Sequence, residues 1–251
     1  KLINLWTGQV IRSFKVAEKG PKRCTLSGNG RRIVVAQPGT VRVYDVNSKE
    51  LVLERDTPVT GRLKAVLADG KADTLVVAGR DKSGPVIVVF GGEGGPRWRR
   101  LFDVKSVGKH VISQNGRWLS GQHGALGSRV WQLWTGRPQH DFKRGRVLDF
   151  PANKNQALLA NENGEVQLFD VDKRQLVSQV KTFTGLRGAA VTEDGLRLIA
   201  AGGDREFHRL GRWDLADGQP RFQRKSPRHS FLNLGWTKDG KQLSVSIKGG
   251  G

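Results

Sequence analysis

Aromatic-ended strands recur along this chain at intervals of about 35–46 residues. They finish at Trp6, Tyr44, Phe90, Trp134, Phe169 and Trp213. The stretch after Trp213 and the stretch up to Trp6 together make one more period of the same size. A repeat of this length cannot bury its apolar faces alone, so copies must stack on one another. Terminal pieces that add up to one repeat predict that the stack closes on itself and leaves no open sheet edge.

Each period carries two turn signatures. The first is a short apolar strand, a turn built on Gly or Asn, and a second apolar strand. Examples are Ser27-Gly28-Asn29-Gly30 before Ile33-Val34-Val35, Ala68-Asp69-Gly70 before Leu75-Val76-Val77, and Gln114-Asn115-Gly116 before Trp118-Leu119. Asn153-Lys154-Asn155, Glu193-Asp194-Gly195 and Lys238-Asp239-Gly240 continue the series. Asn and Gly supply the left-handed residues that tight hairpins require. The second signature follows the aromatic strand, as in Val43-Tyr44-Asp45-Val46 leading to Leu51-Val52, and Leu168-Phe169-Asp170-Val171 leading to Leu176-Val177. Each period thus reads as four strands, a to d. The prediction is an all-β chain, a six-bladed β-propeller of four-stranded antiparallel blades. The blades span about 16–56, 57–103, 104–143, 144–181 and 182–225, with a closing blade shared between residues 1–15 and 226–251. The whole chain then forms a single domain.

The residues resemble the WD-repeat propeller family. The likeness rests on the Asp-Gly hairpin before an apolar strand, the aromatic-Asp pair ending strand c, and the Gly-Gln or Gly-Arg after it. Trp213-Asp214 is a true Trp-Asp; Tyr44-Asp45 and Phe169-Asp170 are variants, and Trp6, Phe90 and Trp134 lack the Asp. No blade carries the family's Gly-His pair before strand a, which marks a degenerate, bacterial-type version. The resemblance implies a platform for protein–protein interaction, often inside a larger chain or complex.

Composition narrows the classes further. No run of eighteen apolar residues exists, so no membrane span is read. Cys24 is the lone cysteine, which allows no intrachain disulfide and leans toward a reducing, cytoplasmic compartment. A start at Lys1 almost inside a strand, and the lack of Met, are expected of an excised or processed chain.

The net charge of +20 is the main functional clue. In the geometry the resemblance implies, the d–a connections and the b–c turns emerge at one end of the blades. The d–a connections carry Lys22, Arg23, Arg62, Lys64, Lys105, Lys109, Arg144, Arg146, Arg187 and Arg228. The b–c turns add Arg80, Lys82, Arg129, Arg205 and Arg209. Acids there are few, whereas Asp45, Asp69, Asp170, Asp194 and Asp214 belong to turns at the other end, which is near neutral. A cationic end concentrates anionic partners and speeds their association. An acidic protein segment is the leading partner; nucleic acid is the alternative, and solvation alone is the bland reading of such charge.

Catalytic signatures are weak. His110, His123, His140, His208 and His229 show no metal-ligand spacing, and no Gly-x-Ser-x-Gly elbow occurs. Gly91-Gly92-Glu93-Gly94-Gly95 lacks the strand-to-helix context and the Lys of a phosphate loop and reads as a hairpin. Trp6, Trp134 and Trp213 read as core residues. Trp98, inside Arg97-Trp98-Arg99-Arg100, reads equally as packed or as a stacking platform. The chain is read as a non-enzyme without cofactor or metal, a propeller enzyme being the least favoured alternative.

Overall fold

Runs such as Ile33-Val34-Val35-Ala36, Leu75-Val76-Val77-Ala78 and Leu198-Ile199-Ala200-Ala201 are apolar at every position, so both faces of these strands must be covered. The structure, a computed structural model, explains how. It describes residues 2–3, 9–13, 23–91, 99–101, 110–123, 127–151, 155–192, 194–203, 208–226, 229–236 and 243–249. The chain divides into two compact units, Lys1–Val107 and Gly108–Gly251.

In the first unit, β1 (Leu2–Ile3) pairs with β2 (Val10–Arg12). One four-stranded sheet follows, built from β3 (Arg23–Leu26), β4 (Arg32–Gln37), β5 (Thr40–Asp45) and β6 (Leu51–Asp56) in that order. The next contains β7 (Ala65–Ala68), β8 (Leu75–Asp81), β9 (Gly84–Phe90) and β10 (Arg99–Leu101). Val34 and Ala36 of β4, with Val41 and Val43 of β5, face Val66, Leu75, Val77, Val86 and Val88 of the second sheet in one buried cluster. Period two sends these residues to one face and the intervening ones to the other.

The second unit repeats the plan three times. Its sheets are β11 (His110–Ile112) to β14 (Pro138–Phe142) through β12 (Trp118–His123) and β13 (Gly127–Gln132); β15 (Arg146–Asp149) to β18 (Gln175–Lys181) through β16 (Gln156–Ala160) and β17 (Glu165–Asp170); and β19 (Leu186–Val191) to β22 (Pro220–Ser226) through β20 (Arg197–Gly203) and β21 (His208–Asp214). A ribbon of β23 (His229–Trp236) and β24 (Leu243–Gly249) ends it. Strand β16 shows the division of faces. Ala157 and Leu159 join Trp118, Val130 and Val147 in one core, while Leu158 and Ala160 join Leu198, Ala200 and Trp213 in the next.

The described residues therefore form five four-stranded sheets and two two-stranded ones, where the sequence predicts six blades. Segments that would complete a sixth sheet, 4–8 and 237–242 among them, lie outside the described residues.

The a–b turns share one construction. In the first, Ser27 Oγ accepts the Arg32 N–H at 3.0 Å and donates to Asn29 Oδ1 at 2.8 Å, and Gly30 takes the left-handed conformation. Ser113 repeats this with Trp118 and Asn115, and Thr192 with Arg197 and Asp194. Asp69 does the same work with a carboxylate, accepting the N–H groups of Lys71, Asp73 and Thr74. All four residues are buried, so an unpaired donor at these turns would be costly.

Aspartates after the aromatic strands have an equally local cause. Asp45 Oδ1 accepts the N–H of Asn47 at 2.7 Å and of Ser48 at 2.9 Å, capping the c–d turn. Asp170 and Asp214 do so at Lys173 and Ala216. The strand pairing shifts by a β-bulge at Val43/Tyr44, Val130/Trp131, Leu168/Phe169 and Arg212/Trp213.

That register corrects the aromatic assignment in the third blade. Leu198 pairs with Trp213 and Ile33 with Tyr44, and the equivalent pair is Leu119 with Trp131. Trp131 is 1% exposed and fills the core position. Trp134 lies in the c–d turn and is half-buried. Gln132 stands where Asp45, Asp170 and Asp214 stand in three other blades, its N–H donating to Arg137 O at 3.0 Å. Trp213 is buried as expected; of its counterparts in other blades Phe90 is buried while Tyr44 and Phe169 are half-buried, and Trp6 and Trp98 lie outside the described residues.

Candidate interaction surface

Backbone close approach builds the basic end of the first unit. The connection from β6 to β7 runs back along the end of β8. Gly61 N donates to Arg80 O at 2.9 Å and Lys64 N to Ala78 O at 2.8 Å. A Cβ at Gly79 would sit 2.9 Å from Arg62 O and closer still to the Val59 side chain, so only glycine lets the two segments meet. The result places Arg62 and Lys64 beside Arg80, with Lys82 in the adjoining turn, and all four side chains are exposed. Arg23, at the start of β3, is also exposed. Among the described residues of this end, two acids stand near the cluster. Asp81 spends one oxygen on the N–H and hydroxyl of Ser83 at 2.8 and 2.7 Å, and Asp56 ends β6.

In the second unit the predicted basic residues divide. Arg144 and Arg187 are exposed. Arg146 is a strut: its Nη2 donates to Leu186 O at 3.1 Å and Arg187 O at 3.0 Å, tying the first strand of one sheet to that of the next. Arg129 is half-buried and forked onto Asp141 of the neighbouring strand, Nη2 to Oδ2 at 2.7 Å. That ion pair raises the guanidinium further and holds the Asp141 carboxyl below its ordinary value. Arg209 is half-buried opposite Lys225. Lys22, Lys105, Lys109, Arg205 and Arg228 lie outside the described residues.

Arg129 falls among the binding residues only while its strand end is read alone. A signal was present. Arg42 and Glu54, Arg129 and Asp141, and Gln167 and Gln179 each lie on paired c and d strands at the same separation, and each pair is bonded. Cross-strand partners of this kind hold sheets together.

The other end of each unit is occupied by its own turns. Backbone donors from Ser48 and Asn47 hold the Asp45 carboxyl low. Asp69 is pushed up by burial against the pull of its turn donors. Arg32 pairs with Asp73 at 3.0 Å, and Arg117 with Asp172 at 2.9 Å while lying 4.8 Å over the Trp118 ring. Exposed pairs like these contribute about 0–1 kcal/mol each.

Histidines do not converge. His110 is buried on β11 against Gly121, His123 is half-buried at the end of β12, and His208 opens β21. His140 is wedged 4.4 Å from Phe142 and 4.6 Å from Phe169, where burial and then Arg174 push its imidazole down. For His229 only the backbone is described, in β23. Among the described residues no three His, Cys, Asp or Glu side chains gather as a metal would need. No helix among them is long and apolar enough to cross a membrane.

A repeated four-stranded sheet stacked face to face defines a β-propeller fold, and comparison agrees. The crystal structure of Kluyvelomyces marxianus Hsv2, a yeast β-propeller protein, matches with a TM-score of 0.70 over 91% of this chain and 74% of that one. Identity is 14%, so the likeness is one of fold alone. No protein-family model and no curated protein matches the chain.

Proposed function

We propose that the chain is a non-catalytic interaction scaffold of WD-repeat type, whose basic end holds an acidic protein segment. The observation that carries this reading is the assembly of Arg62, Lys64, Arg80 and Lys82, all exposed, on a backbone fixed by close contacts. Exposed cations with few competing acids raise the local concentration of carboxylates and steer their approach. A platform role suits the fold, which supplies rigid turns and leaves function to surface residues. The scaffold is a six-bladed ring whose last blade takes strands a and b from β23 and β24 and strands c and d from the N-terminus. Deleting Lys1–Lys15 is expected to lower the melting temperature sharply; an unchanged melting temperature removes the shared blade from the account.

Nucleic acid is the competing partner, favoured by the net charge of +20. Titrating the protein with a glutamate-rich peptide, single-stranded DNA and double-stranded DNA across a salt series separates the two. The scaffold reading expects the peptide to bind at physiological salt and DNA to bind more weakly. Tight DNA binding with a steep salt slope reverses the order.

A further inference from the structure

The basic residues that sequence places at one end are not equivalent. Some are structural, such as Arg146 on its two carbonyls and Arg129 on Asp141. Those of the second sheet of the first unit are different. Arg62, Lys64, Arg80 and Lys82 have exposed side chains, and among the described residues none is ion-paired. The backbones of Arg62, Lys64 and Arg80 are held by the Gly61–Arg80 and Lys64–Ala78 hydrogen bonds and by a packing at Gly79 that leaves no room for a Cβ beside Arg62 O. Charge is thus presented from a fixed base, with little backbone ordering left to lose on binding.

Ligand chemistry follows from what surrounds the cluster. Neighbouring side chains Val59, Leu63 and Ala78 are buried. The described aromatic residues of this unit, Tyr44 and Phe90, end β5 and β9, at the opposite end from Arg80 and Lys82. Among the described residues no aromatic side chain stands beside the cluster, so its described surroundings offer no platform for base stacking and suit carboxylates on an extended chain. We infer that Arg62, Lys64, Arg80 and Lys82 form the anchor for a carboxylate-rich peptide, while Arg129 and Arg146 serve the fold. This rests on the scaffold reading and narrows it to one sheet.

The test uses the full chain and an oligoglutamate peptide, with oligothymidylate beside it. Arg62→Glu combined with Arg80→Glu is expected to weaken peptide binding about tenfold or more and leave the melting temperature unchanged, because both side chains are exposed. Lys49→Glu with Lys71→Glu makes the same charge change at the opposite end and is expected to alter affinity less than about twofold. Should the reversed pair disturb folding, R62Q/R80Q is read instead, with a loss of about threefold or more expected. If the wild type binds the peptide and R62E/R80E binds it equally well, the anchor is wrong and the scaffold reading stands. If both charge pairs weaken binding alike, the effect is net charge and the anchor is again wrong. Wild-type protein that ignores oligoglutamate removes both. Preference for oligothymidylate overturns the carboxylate assignment.

Discussion

Replacing Ser113 by Ala is expected to destabilise the second unit by more than a surface hydroxyl normally would. Its Oγ accepts the Trp118 N–H at 2.9 Å and the Arg117 N–H at 3.1 Å, and donates to Asn115 Oδ1 at 2.7 Å. Arg117 N–H keeps a second acceptor in Asn115 Oδ1, whereas Trp118 N–H, in a residue 1% exposed, is turned to Ser113 Oγ. Leaving a buried donor unpaired costs about 1–3 kcal/mol. With about 1 kcal/mol for the lost Asn115 bond the sum is about 2–4 kcal/mol, or roughly 5–15 °C in melting temperature for a chain of this size. The fold contains its own control. Thr192 plays the corresponding part at the equivalent turn, accepting the Arg197 N–H at 3.0 Å and donating to Asp194, and is equally buried. Ser113→Thr should therefore remain within about 1 kcal/mol of wild type. Urea denaturation of the three proteins measures both effects. An alanine variant as stable as wild type, or a threonine variant as damaged as the alanine one, refutes the hydroxyl's role.

Further outcomes follow from the same geometry. Trp131→Ala should cost about 3–5 kcal/mol and Trp134→Ala under about 1 kcal/mol, read by denaturation; equal losses contradict the placing of Trp131 opposite Leu119. Gly211→Ala would drive its Cβ into the Trp213 ring and should cost about 1–3 kcal/mol, with partial recovery when Trp213→Leu is added. Asp149 accepts the Phe150 N–H at 2.8 Å, yet burial pushes its carboxyl up to about 6. Because that lies above its unfolded value of about 3.9, the folded state holds the extra proton between roughly pH 4 and 6. The contribution of Asp149 to stability is then greatest on the acid side and falls as pH rises through that window, by up to about 3 kcal/mol. Asp149→Asn should flatten this profile and raise the melting temperature at neutral pH; an unchanged profile contradicts it.

Much of the fold is legible because hairpin chemistry is local. Asn29-Gly30, Asn115-Gly116 and Asp194-Gly195 announce their turns, and the structure finds Gly30, Gly116 and Gly195 in the left-handed region. Less local facts were hidden. The core aromatic of the sheet from β11 to β14 is Trp131, paired with Leu119, rather than Trp134, and with two tryptophans three residues apart the sequence does not show which one the pairing selects. Ala72 takes the left-handed role in the Asp69 turn, where an alanine gives no warning. The basic residues show the same limit. Arg62 and Arg146 look alike in sequence, but one side chain is exposed and the other spans to two carbonyls of the next sheet. Only the folded neighbour decides which charge is left for a partner.

The distinction between structural and available charge carries the functional account, and it has a direct readout. Hydrogen–deuterium exchange of the full chain, with and without oligoglutamate, locates the contact without altering any residue. The account predicts new protection at residues 57–64 and 78–84 and none at the turns around Asp45 and Asp170. Protection confined to those acidic-end turns, or to the second unit alone, would contradict it.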